Sequence, residues 1–114
     1  MIENLNSDLG KVLQAHKREQ KWFYVCSGSF LFVTIQIDDF ASPSEKLRVN
    51  EWIISANKNS ILHVPGGFAN GFRSLSEDSR LVVFSSSTLK ESKEDDYRFE
   101  ANRWYNWIKQ EPLV

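Results

Sequence analysis

The sequence is short of several things, and each shortage narrows the field. It holds one cysteine, Cys26, in 114 residues, so no intramolecular disulfide can form and a reducing cytoplasm is the expected setting. It has almost no net charge: 14 Lys and Arg stand against 15 Asp and Glu, a formal charge of −1. So even a balance offers no global field for nucleic acid or a membrane surface, and neither is expected as a partner. No apolar run approaches the ~20 residues of a membrane-spanning helix, and the first residues show no secretory pattern. No repeat, linker or low-complexity stretch divides the chain, and one domain over residues 1–114 is expected. Aromatic residues are plentiful. Eight Phe, four Trp and three Tyr make 13% of the chain, which argues against disorder. They also exceed what a monomeric barrel needs. A homodimer that caps exposed sheet edges is therefore expected.

Turn signals separate short β-forming runs along most of the chain. Met1 to Gly10 reads as a short arm with one edge strand. Lys21 to Cys26 (KWFYVC) is dense in β-formers, Ser27–Gly28–Ser29 is a turn, and Phe30 to Ile37 (FLFVTIQI) reads as the other half of a hairpin. Both faces of that last run are apolar, so it is expected to be buried on both sides. Asp38 to Ser44 is a loop by its Asp, Ser and Pro content. Val49 to Ser55, an Asn57–Lys58–Asn59 turn, Ile61 to Val64 and Leu81 to Ser86 continue the pattern. From Ser92 to Gln110 charged residues interleave with aromatic ones. Trp104, Trp107 and Ile108 fall at i, i+3 and i+4, which predicts a short amphipathic helix stopped by Pro112. Strands with frequent turns and one terminal helix predict an antiparallel sandwich or barrel.

The most specific stretch is His63 to Phe72, HVPGGFANGF. A strand ends at Pro65, which cannot donate to a ladder, and Gly66–Gly67 permits a sharp reversal. The chain then re-enters β structure with Asn70 set between apolar neighbours. Read alone, this is a barrel corner that places one polar group near a mouth.

The wider sequence adds to that reading. Ile54 to Phe72 resembles the second half of the dTDP-4-dehydrorhamnose 3,5-epimerase barrel, whose pattern there is Ile-Pro-x-Gly-Phe-Ala-His-Gly-Phe. Asp39 to Ser44, followed by Glu51–Trp52, is similar to that family's Ser-Pro-Thr loop and tryptophan strand. Gln14-Ala15-His16-Lys17, with the interval to Ser27–Gly28, resembles the dTDP-4-oxo-6-deoxyhexose 3,4-ketoisomerases, whose pattern is Arg-Gly-x-His-Ala-His-Lys. The matches span about residues 11–90. They imply an all-β cupin, a double-stranded β-helix or jelly-roll barrel, to which the chain's own pattern adds the short C-terminal helix. They also imply a sugar-nucleotide isomerase or epimerase of surface-polysaccharide biosynthesis, with a nucleotide sugar as its small-molecule partner and no cofactor.

Several matching positions depart from the family patterns. Gln14 stands where a basic histidine falls, Asn70 replaces the histidine of the Gly-Phe-Ala-His corner, and Val83 or Phe84 occupies the place of a proton-donating tyrosine. Lys11 replaces an arginine, which keeps the charge but not the bidentate geometry. His16, matching the second ketoisomerase histidine, is the candidate base for moving a proton beside a ketone. If Gln14 to Arg18 is extended, Gln14, His16 and Arg18 share one face. Lys21 would polarise the carbonyl or bind phosphate, and Tyr24 is an alternative proton donor. Lys11, Gln14, Arg18 and Asn70 complete the substrate-binding set, with Lys17 a further cation for a diphosphate.

Other readings stay open. His16 beside Lys17 and Arg18 reads equally as a solvated histidine. The substituted positions also fit a catalytically reduced cupin that binds a sugar or nucleotide, or an accessory interaction domain. His63 reads as a strand residue at a corner, Trp22, Phe30 and Phe32 as core, and Cys26 as a small buried hydrophobe. Asp95 to Phe99 reads as a cluster that closes a barrel end or forms an interface. Gln14, His16, Glu19 or Gln20, and Asn70 fall where other cupins hold a metal, but one imidazole with amide oxygens makes a poor transition-metal site. No metal is expected.

Overall fold

The computed structural model describes residues 2–4 and 12–107, and in it the turn-separated β-forming runs become nine antiparallel strands in two sheets. These are β1 Ile2–Asn4, β2 Val12–Ala15, β3 Lys21–Ser27, β4 Ser29–Gln36, β5 Val49–Ser55, β6 Ile61–Val64, β7 Phe68–Ser74, β8 Arg80–Ser85 and β9 Tyr97–Glu100. A short helix, α1, spans Leu89–Lys93. The strand orders are β1-β8-β3-β6 in one sheet and β5-β4-β7-β2-β9 in the other.

Two apolar clusters show how the layers pack. Phe23, Val25, Leu62, Val64 and Leu81 of the smaller sheet meet Phe30, Phe32 and Ile54 of the larger one, with Phe68 and Phe72 at their margin. This is the core between the sheets. Side chains alternate across a strand, so Leu31, Val33 and Ile35 point to the far face of the larger sheet. There they form a second cluster with Leu13, Ala15, Ala69, Ala101, Tyr105 and Trp107. The segment after β9 thus covers the outside of the larger sheet, and β4 is buried on both faces as its composition predicts. Trp107 lies against Gly71, where any Cβ would sit 3.1 Å from its indole ring. The Tyr105 hydroxyl donates to the Glu51 carboxylate. Burial first, and then that carboxylate, push the phenol above its ordinary pKa.

Three expectations change. The Ser27–Gly28–Ser29 turn does not close a hairpin: β3 pairs with β6 and β8, whereas β4 pairs with β5 and β7. Gly28, at φ 70°, carries the chain from one sheet to the other. The helix lies at Leu89–Lys93, before the Trp-rich segment, and Tyr97–Glu100 is a strand pairing with β2. Residues 101–107 are turns and bends, because Tyr105 and Trp107 are drawn onto the sheet, while Ile108 lies outside the described residues. Cys26 is exposed: the register of β3 shifts between Val25 and Ser27, and the irregularity breaks the alternation there.

Candidate active site

A row of polar residues crosses the inner face of the larger sheet. Gln14 of β2 pairs with Asn70 of β7, Asn70 with Thr34 of β4, and Thr34 with Asn50 of β5. Opposite partners share a face, so these four point between the sheets beside the Phe cluster. On the Thr34 side of the row, Trp52 Nε1 donates to Thr34 Oγ1 at 3.0 Å and Asn50 Nδ2 to the Thr34 carbonyl at 3.3 Å, beside a smaller pocket of about 200 Å³. The Gln14 side borders a cavity of about 390 Å³. Gln14, Asn70 and Phe72 of the larger sheet line it on one side. Lys21, Phe23, Val83 and Ser85 of the smaller sheet line the other, with Glu19 beside them. Thr88, Leu89 and Ser92, at the start of α1, complete the lining. Leu89 is 79% exposed, an apolar side chain held out to solvent at the mouth.

The parity of β3 explains what reaches the cavity. Lys21 and Phe23 face inward, whereas Trp22 and Tyr24 face away; Trp22 stacks on His63 with centroids 5.1 Å apart. Tyr24 therefore does not join Lys21. Lys21 Nζ donates to Gln14 Oε1 at 3.0 Å, and Gln14 Nε2 lies 3.4 Å from Asp96 Oδ1. Burial alone would raise the Asp96 pKa, but hydrogen bonds from Arg98 and Gln14 outweigh it and hold the carboxyl below its ordinary value. Asn70 Nδ2 donates to the Gln14 carbonyl at 3.3 Å. A cation, two amides and an aromatic floor thus share one concave surface, the composition of a small-molecule site.

The expected common face of Gln14, His16 and Arg18 does not form, because β2 ends at Ala15 and the chain bends at residues 17–18. Asp95 causes the bend. Its carboxylate accepts the backbone N–H groups of Lys17, Arg18 and Glu19 at 2.8, 2.9 and 3.0 Å. Burial opposes the ionised form, yet those three donors outweigh it and the Asp95 pKa stays below the ordinary carboxylate value. His16 is only 3% exposed and does not line the cavity. Its Nδ1 lies 2.5 Å from the Asp95 carbonyl, and its own carbonyl accepts Gly67 N–H at 2.7 Å. Arg18 is exposed, with its charge felt by Glu91 of α1 and by Asp95. Lys17 sits over the rings of Phe40 and Tyr97, at 5.6 and 5.3 Å, away from the cavity. Lys11 lies outside the described residues. Asp95 to Phe99 joins the structure at an edge of the larger sheet, where β9 pairs with β2 and Asp95 holds residues 17–19.

Gln14, Lys21 and Asn70 are brought together as the sequence reading has them. Glu19, Ser85 and the α1 residues are additions. One signal pointed toward Ser85: the tyrosine position of the epimerase pattern falls on β8 at Val83 or Phe84. On that strand Val83 and Ser85 are the residues that line the cavity. Among the described residues no group of three or more His, Cys, Asp or Glu side chains gathers as a metal site.

The family model for dTDP-4-dehydrorhamnose 3,5-epimerase matches residues 11–110. The chain belongs to that family. Solved structures show the fold of this epimerase family as well. The dTDP-4-dehydrorhamnose 3,5-epimerase of Sulfolobus tokodaii superposes with a TM-score of 0.71 at 23% identity, over 100% of this chain and 65% of that one. The Bacillus anthracis enzyme, solved with TDP and PPi bound, gives 0.65 at 21% identity, over 84% of this chain and 55% of that one. The capsular polysaccharide assembling protein CapF of Staphylococcus aureus gives 0.68 at 16% identity, over 88% of this chain and 27% of that one. This chain therefore spans about a quarter of CapF and 55–65% of these two epimerases. No curated protein sequence matches it. No helix among the described residues is long and apolar enough to cross a membrane.

Proposed function

We propose that this epimerase-family chain acts on a nucleotide-linked 4-oxo-6-deoxy sugar, moving a proton at the carbon beside the ketone, in surface-polysaccharide biosynthesis in the cytoplasm. The observation that carries this reading is the convergence of Gln14, Lys21 and Asn70 on one cavity between the sheets. The sugar ring occupies that cavity and the nucleotide extends past its mouth. Removing a proton beside a ketone puts charge on the carbonyl oxygen, and the Lys21 ammonium on the cavity wall holds that charge. Gln14 and Asn70 orient sugar hydroxyls. His16, behind the wall, acts through its neighbours rather than on the sugar itself. The chain acts as a homodimer, and sedimentation as a monomer at micromolar concentration would refute that part.

Solvent deuterium exchange tests the reaction. Deuterium should enter C3 or C5 of dTDP-4-oxo-6-deoxyglucose in the presence of the protein, and its failure to do so across several 4-oxo nucleotide sugars would refute the isomerase reading. One observation favours a binding-only role: His16 does not line the cavity. That role predicts nucleotide-sugar binding without exchange, unchanged by His16→Asn.

A further inference from the structure

From the cavity wall inward, three side chains, Ser85, Glu19 and His16, make a chain of contacts that packing alone does not require. Ser85, on the cavity face of β8, donates its hydroxyl to Glu19 Oε2 at 2.6 Å. The N–H of Ser87 donates to the same Ser85 oxygen at 3.0 Å and so helps fix its orientation. Glu19 is 4% exposed although it borders the cavity. Its second oxygen, Oε1, has no hydrogen-bond partner among the described residues and faces His16 Nδ1 at 3.6 Å. The contact of His16 Nδ1 with the Asp95 carbonyl fixes the tautomer, because a carbonyl only accepts: Nδ1 carries the proton. His16 Nε2 is buried and likewise without a partner among the described residues. A buried carboxylate with an unmatched oxygen beside a buried imidazole with an unmatched nitrogen is costly to keep. An apolar pair would fill the same space without that cost. The line begins at the cavity surface, where a proton has to be exchanged.

We propose that Ser85 is the group that touches the reacting sugar carbon, and that Glu19, backed by His16, receives and returns the serine proton. The proposal rests on the isomerase reading above. In the forward step the C–H bond next to the ketone breaks and its proton passes to Ser85 Oγ, as the hydroxyl proton of Ser85 passes to Glu19 Oε2. The C–H electron pair becomes the enolate double bond, and the carbonyl oxygen takes the negative charge beside Lys21. In the return step a proton re-enters the enolate carbon. From Ser85 on the same face it regenerates the substrate. From water on the opposite face it gives the epimer, and the resulting hydroxide takes the proton held by Glu19, so nothing is oxidised or reduced. Between the two steps, exchange with water replaces the transferred hydrogen by solvent deuterium. Ser85 lies beside Val83 and Phe84, the positions where the family pattern places a tyrosine.

Deuterium entry into dTDP-4-oxo-6-deoxyglucose, followed by NMR, is compared for the wild type, Ser85→Ala, Ser85→Thr, Glu19→Gln and Glu19→Asp, with binding of the same nucleotide sugar measured by calorimetry and folding by thermal melting. Ser85→Ala and Glu19→Gln should each slow exchange at saturating substrate by about 100-fold, with affinity changed by no more than about threefold. Ser85→Thr and Glu19→Asp, which retain the hydroxyl and the carboxylate, should recover most of the rate. Wild-type exchange rates in either Ser85→Ala or Glu19→Gln would overturn the relay and leave the isomerase reading standing. Loss of affinity in step with the rate would overturn it too, since that is the mark of a structural role. If Glu19→Gln fails to melt cooperatively, the Ser85→Ala and Ser85→Thr pair decides by itself. Binding without exchange in the wild type would overturn both the relay and the reading it rests on.

Discussion

The two faces of the larger sheet are made by alternate residues of the same strands, and they differ sharply. The outer face is Leu13, Ala15, Leu31, Val33, Ile35 and Ala69, sealed by Tyr105 and Trp107. The inner face carries Phe30, Phe32 and Phe72 beside the polar row Gln14, Asn70, Thr34 and Asn50, and one side of that row stays open to a cavity. Strand alternation lets a thin sheet carry an apolar core on its outer face and, on its inner face, a second core that shares its space with a polar cavity. Four measurements put that division to the test.

The largest effects belong to the two cores. Trp107→Ala and Phe32→Ala should each cost about 3–5 kcal/mol by urea denaturation. Trp107→Ala should nevertheless leave nucleotide-sugar affinity intact in the folded fraction, because none of the described outer-face residues lines the cavity. A parallel loss of affinity would show that the faces are not separable.

Next comes Lys21→Met on the inner face. It should lower the deuterium exchange rate by about 100-fold while costing only about 1 kcal/mol of stability, the value of one half-buried hydrogen bond. A stability loss as large as that of Phe32→Ala would assign Lys21 to the scaffold.

Third in size is Asp95→Asn, expected to cost about 2 kcal/mol at neutral pH, since three backbone N–H groups lose a charged acceptor. The folded Asp95 pKa is depressed below the ordinary aspartate value of about 3.9. Its contribution is therefore fully present above the unfolded value and disappears as pH falls through the lower folded one. The gap between wild type and Asp95→Asn in urea midpoint should be constant near neutrality and close below pH 4. A gap that stayed constant into strong acid would deny the carboxylate its part.

The smallest change is Thr88→Ala. Thr88 and Glu91 form a reciprocal capping box at the start of α1, and losing it should cost about 1 kcal/mol of helix stability. Faster amide exchange confined to residues 89–93 would confirm it; spread into the sheets would contradict a local role.

Much of the fold was legible because β-formers and turn residues alternate so regularly, and because Pro65–Gly66–Gly67 and the two-sided apolarity of β4 have one structural answer each. The failures share a cause. Ser27–Gly28–Ser29 serves a hairpin and a sheet-to-sheet crossing equally well, and only the pairing of distant strands decides between them. Trp104 and Trp107 sit at helical spacing, yet an apolar sheet face available to cover outweighs a weak helical preference. Cys26 is exposed because an irregularity shifts the register, and composition carries no mark of it. In the site, Gln14, Lys21 and Asn70 could be picked out through the family resemblance, and the strands that carry them bring them to one cavity. His16 could not, because Asp95, far along the chain, bends the segment that carries it. Glu19 and Ser85 form their contact across a sequence separation of 66, which no local pattern records.

The clasp that Asp95 makes on residues 17–19 also fixes an order of events during synthesis. Chains emerge N-terminus first, so the segment carrying His16 and Glu19 leaves the ribosome long before the carboxylate that bends it, 76 to 78 residues later. The sheets can pair and the Phe core can close while one wall of the cavity is still unshaped. A nascent chain stalled before residue 95 should hold most of its strands and bind no sugar nucleotide, and the site should appear in a single step once β9 docks.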